Sequence, residues 1–476
     1  MIPAINKQSM AKHLKGISGL RFALLIALML FIPISQGGMT SGAFAIWLIT
    51  TGLLVGLSVY SGLFITSSID RDHQSRVLSS FSWVGVWLLL TLICLIHVAF
   101  KVSITEFWMN GFRGIEVLDP KINFSTGGLM SYARLQTLGM WAFFTALWIV
   151  AYVCSRLRQY QVKWVLIAVL IMGAFQAFVG LVGIKGGGTV LGMWQKIHVF
   201  DATGTFINRN HFANFIALCL PFGLCALSGD KPLVLAGHPK TYRMFLLAVF
   251  VVISVLAALA SHSRMGLMVT LVAGSSWLII SQLRTKRRLM AMDWIVLLGS
   301  VVLVVLMMLW FGVNDTMSRA MTLADGDGRL QIWKSVFDLP SRVWIFGIGP
   351  GNFSEVFALV KPVGFDNFAY YAHSDYLEFV LEFGVPVSAL LILSGFIWFK
   401  INFHGNILKD VMSVRAAAAC AVFVMVLHSL VDFSLQIPAN ATYAAIALGL
   451  LLNQDLSVQV KRKSPRVSKV ASVQNT

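Results

Sequence analysis

The sequence predicts an all-α, polytopic membrane protein with about twelve transmembrane helices. Three observations carry this. Of the residues, 57% are hydrophobic and only 12% charged, where soluble domains carry roughly a quarter charged. The apolar residues gather into long runs, such as 244–260 and 294–311, each able to cross a bilayer. The basic residues gather in short loops between the runs, in alternation along the chain.

The spans follow in order at 20–35, 43–66, 82–100, 138–154, 164–184, 211–228, 242–260, 265–282, 293–313, 374–399, 414–428 and 438–452. The first has Lys7, Lys12, Lys15 and Arg21 ahead of an apolar stretch and no A-x-A cleavage pattern after it, so it reads as a retained helix and not a leader. With the N-terminus placed in the cytoplasm, about two-thirds of all Lys and Arg fall in inner loops. An even span number then puts both termini in the cytoplasm. Trp83, Trp164, Trp294 and Trp398 sit near span ends, as in an aromatic belt.

Three outer loops are long, 101–137, 185–210 and 314–373, and loops of this size are often functional. The last carries an amphipathic stripe, Leu330, Trp333 and Phe337, and then the turn Gly347-Ile-Gly-Pro-Gly-Asn352. Residues 1–453 therefore read as one transmembrane domain, with 314–373 its large periplasmic loop. Residues 454–476 read as a basic, disordered cytoplasmic tail.

Composition also excludes several functions. The net charge of +17 is distributed by topology and forms no single basic patch, which argues against nucleic acid and for contact with anionic lipid heads. Cys94, Cys154, Cys219, Cys225 and Cys420 lie inside apolar runs without a C-x-x-C pair, and read as core residues. No clustered carboxylates or H-x-x-x-H pattern suggests a metal. Lys185-Gly-Gly-Gly188 lacks the spacing of a nucleotide phosphate loop.

The outer face holds the chemistry. Helices that start there begin with polar clusters: Arg209-Asn210-His211, Ser261-His-Ser-Arg264, His373-Ser-Asp375, and the stretch from His428 to Pro438. A helix N-terminus presents free N–H groups and a positive dipole end. Arginines placed there point to an anion, and their planar fork suits phosphate. Arg264, Arg329 and Arg209 together are the candidate diphosphate-binding residues, and His373 is the candidate catalytic base. Asn210, His211, Asp375, His428 and Asp432 are supporting candidates. Plainer roles stand beside these. Arginines at a membrane edge commonly contact lipid phosphate. Asp375 and Glu378 fit a capping box, Ser261 and Ser263 fit helix caps, and His428 and Asp432, four apart, fit facing positions on one helix.

At these residues the chain resembles the O-antigen ligase and Wzy-type polysaccharide polymerase superfamily. The matching segments are 204–213 (GTFINRNHFA), 261–266 (SHSRMG), 327–333 (DGRLQIW), 347–353 (GIGPGNF), 373–384 (HSDYLEFVLEFG) and 428–433 (HSLVDF). They cover the second half of the chain. The resemblance implies a GT-C-like transferase in the bacterial inner membrane. It would move glycan from an undecaprenyl-diphosphate donor to an acceptor sugar hydroxyl on the periplasmic side, with neither metal nor cofactor. Arg264 and Arg329 would hold the diphosphate and His373 would activate the acceptor. Met265 follows Arg264 where the family pattern has a small residue. The expected activity is that of a polymerase extending lipid-linked glycan. The alternative is a ligase transferring to lipid A core or protein. A flippase and a chain-length regulator are the protein partners it suggests. The rival of another class is a flippase or carrier of lipid-linked sugar. Transporters usually place ionisable groups mid-membrane, and here the span centres are nearly free of charge, with Glu378 and Glu382, near an outer end, the main exceptions.

Overall fold

The computed structural model describes residues 7–65, 82–96, 98, 126–185, 188–197, 199–228, 234–285, 328–339, 341–361, 369–403, 414–453 and 456. The helices are α1 (Lys7–Ile34), α2 (Ser41–Ile65), α3 (Ser82–Ile96), α4 (Thr126–Ser155), α5 (Gln159–Gly183), α6 (Arg209–Leu227), α7 (Lys240–Ala260) and α8 (Arg264–Thr285). After them come α9 (Gly328–Phe337), α10 (Ser341–Phe346), α11 (Phe353–Val360), α12 (Asp375–Phe383), α13 (Val385–Asn402), α14 (Val414–His428) and α15 (Pro438–Leu451). A two-stranded ribbon, β1 (Thr189–Val190) with β2 (Trp194–Gln195), is the only sheet among the described residues. The chain is an all-α polytopic membrane protein. Within the described residues, eight helices are long and apolar enough to span a bilayer, and α3, α14 and α15 are shorter apolar helices. The ninth expected span, 293–313, and nearly all of the tail lie outside the described residues.

Two boundaries differ from the sequence reading. The fourth helix starts at Thr126, about three turns before the expected span. The tenth span is two helices. Gly384, at φ 78° and ψ 154°, ends α12 and opens α13, with Pro386 in the first turn of α13. Only α13 is apolar and long enough to cross, so α12 stands ahead of the membrane span.

The organising element is α6. Every residue from His211 to Leu227 except Leu224 is buried, because α5, α7, α8, α14 and α15 surround it. In lipid, helices gain little from hiding apolar surface, so close approach through small residues does the packing. A Cβ at Gly223 would strike Phe250 of α7, and one at Gly266 of α8 would strike Ala213 of α6. Buried polar side chains add cross-links. The Trp47 indole N–H donates to Thr442 Oγ1 at 2.9 Å, and the Tyr443 hydroxyl to the Met29 carbonyl at 3.0 Å. Asn453 donates to the carbonyls of Cys154 and Leu157 at 3.0 and 2.9 Å. The five cysteines are free and buried, as expected of core residues.

A second, smaller core lies between the helices of the 328–383 region. Ile332 and Val336 of α9 pack with Phe353 and Phe357 of α11 and Leu381 of α12. The expected amphipathic helix of the large loop is α9. The Gly347–Asn352 turn docks on α12: Ile348 and Gly349 donate their N–H groups to the carbonyls of Leu381 and Glu382, and Glu382 Oε1 accepts from the Gly351 N–H at 2.7 Å. Gly347 and Gly384 both have positive φ and face each other so closely that a Cβ on either would meet the other's backbone.

Candidate functional site

The segment before α6 is fixed first. Gln176, buried in α5, accepts the Thr205 N–H at 3.0 Å and donates to Thr205 Oγ1 at 2.8 Å and to the Pro33 carbonyl at 3.2 Å. The Ala202 N–H donates to the Ala260 carbonyl at 2.8 Å, tying this segment to the end of α7. Asp201 is thereby set beside the α7–α8 turn. One carboxylate oxygen accepts from Arg209 Nη1 at 2.7 Å, and the other meets His262 Nδ1 at 2.7 Å. Burial pushes the Asp201 carboxyl up, but the hydrogen bonds from His262 and Arg209 outweigh it and hold the group below its ordinary range.

A second carboxylate lies one helical step away. His211, two residues after Arg209 on α6, brings Nε2 to 3.8 Å from Asp432 Oδ1, and His373 brings Nδ1 to 3.6 Å from the same oxygen. These are ion-pair distances, longer than hydrogen bonds. Asp432 is 1% exposed, His211 5%. Burial pushes the Asp432 carboxyl up, yet its contacts with His211 and His373, with the charges of His211 and His428, hold it well below the carboxylate range. Phe433 is an aromatic wall: His211 and His373 stand edge-on to it at 4.6 and 4.9 Å, and Tyr371 stacks on it at 4.3 Å.

Two helix starts share one local design. His262 and His373 sit at φ 52° and 53°, a left-handed conformation that costs a non-glycine residue of order 1–3 kcal/mol. A capping serine follows each. Ser263 Oγ accepts the Gly266 N–H at 3.1 Å and Ser374 Oγ accepts the Leu377 N–H at 3.3 Å. The left-handed step turns each imidazole toward its carboxylate, His262 to Asp201 and His373 to Asp432.

Among the arginines, Arg329 lies in the first turn of α9. That helix is held against the His373 loop by the Trp333 indole, which donates to the Ala372 carbonyl at 2.7 Å. Arg329 also lies within electrostatic reach of His428. Arg264 opens α8 and is exposed, two residues after His262. Arg209 is engaged by Asp201. Asn210 gives its N–H to the Asn208 cap at 2.8 Å.

Several supporting residues differ from expectation. The cap of α12 is Ser374, not Asp375. The Asp375 carboxylate instead accepts the Leu435 N–H at 3.1 Å, and its own N–H reaches the Ser429 and Asp432 carbonyls. Burial pushes the Asp375 carboxyl up to about 7 against the pull of Ser429 and the Leu435 N–H, with the Asp432 charge adding to the rise. Glu378 Oε2 accepts the Ala372 N–H at 2.7 Å, and so braces the His373 loop. His428 and Asp432 do not share a helix. α14 ends at His428, whose Nδ1 pairs with Ser434 Oγ at 2.9 Å, while Asp432 turns to the other two histidines. Among the described residues, no group of three His, Cys, Asp or Glu is arranged to share a metal ion.

Asp201 carries no signal in the sequence, and His262, though inside the cluster Ser261-His-Ser-Arg264, is given no role by it. Their pairing spans 61 positions, and no local pattern marks it. Phe433 belongs to the segment His428–Phe433, but its contacts with three rings are visible only in the fold.

A bundle of membrane-spanning helices whose polar helix starts converge on two carboxylates defines a multi-pass membrane protein with a polar site at one end. Residues 249–392 match the family model described as O-antigen ligase. The match takes in Arg264, Arg329 and His373. This match supports a ligase- or polymerase-type, glycosyltransferase-like function in general terms. No curated protein and no solved structure matches the chain.

Proposed function

We propose that the protein is a GT-C-like polysaccharide polymerase of the bacterial inner membrane. It would transfer glycan from undecaprenyl diphosphate to the hydroxyl of a second lipid-linked glycan on the periplasmic side. The observation that carries this is the approach of His373 Nδ1 to the buried Asp432, beside the helix that bears Arg329. A carboxylate at Nδ1 favours the tautomer protonated there, which leaves Nε2 to accept a proton. The acceptor O–H proton passes to His373 Nε2 as the new O–C1 bond forms. The C1–O bond to the diphosphate breaks, and its electron pair leaves on the diphosphate oxygen. Arg264 and Arg329 meet that charge, with Arg209 at the edge under the control of Asp201. Each charge-assisted hydrogen bond is worth about 1.5–3 kcal/mol, so guanidinium binding supplies the electrostatic stabilisation without a metal in the reaction. Single displacement inverts the anomeric carbon.

The test is transfer by purified protein in nanodiscs, with a lipid-diphosphate glycan and no ion gradient. Arg264→Ala, Arg329→Ala and His373→Ala each cut transfer to a small residual rate while the protein still inserts. Full activity in His373→Ala refutes the assignment of the base. Lipid-linked product of increased length identifies the polymerase, and transfer to lipid A core the ligase. Translocation of donor with no bond change identifies a carrier.

A further inference from the structure

The segment between α5 and α6 carries a ribbon with unusually exposed apolar side chains. Leu191 is 53% exposed, Met193 62%, Ile197 70% and Phe200 80%, while Val190 alone turns inward at 4%. Residues 188–200 contain no acid, and the lysine among them, Lys196, is spent on the protein. Its ammonium donates to the carbonyls of Gly183 and Val199, both at 3.3 Å, and of Asp201 at 2.6 Å.

The Gly183 bond gives the ribbon its location. α5 is a span whose Ile171, Phe178 and Val182, spaced seven and four apart, are exposed on one face. On a membrane-spanning helix such a stripe faces lipid. It ends at Val182, one residue before the carbonyl that holds Lys196. The exposed apolar ribbon thus continues the lipid-facing surface of α5 at the membrane boundary. Aliphatic residues, a half-buried Trp194 and no carboxylate are the composition of a segment lying in a bilayer interface.

We propose that residues 188–197 and 199–200 are seated in the phospholipid leaflet, with Phe200, Ile197, Met193 and Leu191 below the headgroups. Asp201 follows Phe200 directly, so the same seating holds the Asp201–Arg209–His262 cluster at headgroup level. That second clause rests on the proposed use of a lipid diphosphate, while the seating itself does not.

The five native cysteines are buried, so introduced ones can be labelled selectively. Phe200→Cys and Met193→Cys carry a fluorophore in liposomes of phosphatidylethanolamine and phosphatidylglycerol. Phe178→Cys serves as the lipid-facing reference and Ser341→Cys as the aqueous one. Shallow nitroxide-labelled lipid should quench positions 200 and 193 severalfold more than aqueous iodide does, as at position 178. Quenching by iodide but not by lipid, as at 341, overturns the proposal. Shielding from both quenchers also overturns it, because protein then covers the ribbon. The readout needs no turnover, so it stands or falls separately from the transferase reading.

Discussion

Removing the Asp432 charge is the sharpest probe of the site. The perturbation is Asp432→Asn, which keeps the shape and takes away the carboxylate that His373 and His211 approach at 3.6 and 3.8 Å. If His373 takes the acceptor proton, an imidazolium forms in the transition state. At 3.6 Å and an effective dielectric of about 20, a carboxylate stabilises it by about 4–5 kcal/mol. That corresponds to about three decades in rate. The partial solvent access of the His373 side chain, 28% exposed, screens part of this, so the expected loss in kcat is about 10²–10³-fold. KM for the lipid donor should change little, because the Asp432 carboxylate is approached by the histidines His373 and His211. Steady-state transfer in nanodiscs measures both parameters. A merely structural carboxylate also lowers activity, so the double variant is needed. With His373 already replaced by Ala, Asp432→Asn should cost almost nothing further, since the two act as a unit. A kcat within threefold of the parent, or losses that multiply in the double variant, would refute the reasoning.

Three other outcomes follow from the same geometry. The Asp375 carboxyl is pushed from an ordinary 3.8 up to about 7, so stability is full below pH 4 and falls as pH rises through 7. The loss is on the order of 4 kcal/mol. Asp375→Asn can still accept the Leu435 N–H, and thermal denaturation in detergent should show it flatter across that window and more stable than the parent at pH 8. Gly384→Ala puts a side chain at φ 78° against the Ile345 carbonyl, which should cost about 2 kcal/mol or more and appear as a Tm several degrees lower. Arg264→Lys and Arg329→Lys keep charge but lose the fork, and each should transfer at least about 10-fold more slowly; near-parental rates in either would mean point charge suffices there.

Much of the bundle was legible because hydropathy is a strong, local signal: eleven of the expected spans coincide with described helices, and α9 appears where the Leu330, Trp333 and Phe337 stripe placed it. The break at Gly384 was less visible, since the run 374–399 is apolar on both sides of it. The Gly-Val-Pro sequence there is nonetheless a helix stop followed by a helix start. The cap of α12 shifted by one residue because Ser374 and Asp375 are both good caps, and the φ of His373 decides between them. The converging histidines were readable as polar helix starts. Which carboxylate each one meets was not, because Asp432 and His211 are joined only when α14 and α6 pack together.

The enclosure of α6 bears on how the chain enters the bilayer. It is the least hydrophobic of the long spans among the described residues, and it carries Asn214, whose amide donates to Met425 Sδ at 3.6 Å on a helix much later in the chain. During synthesis α6 leaves the translocon before α14 and α15 exist to surround it. Truncation after residue 285 would therefore strand a polar-tinged helix in lipid, and such a fragment should be cleared by membrane proteases where the full-length chain persists.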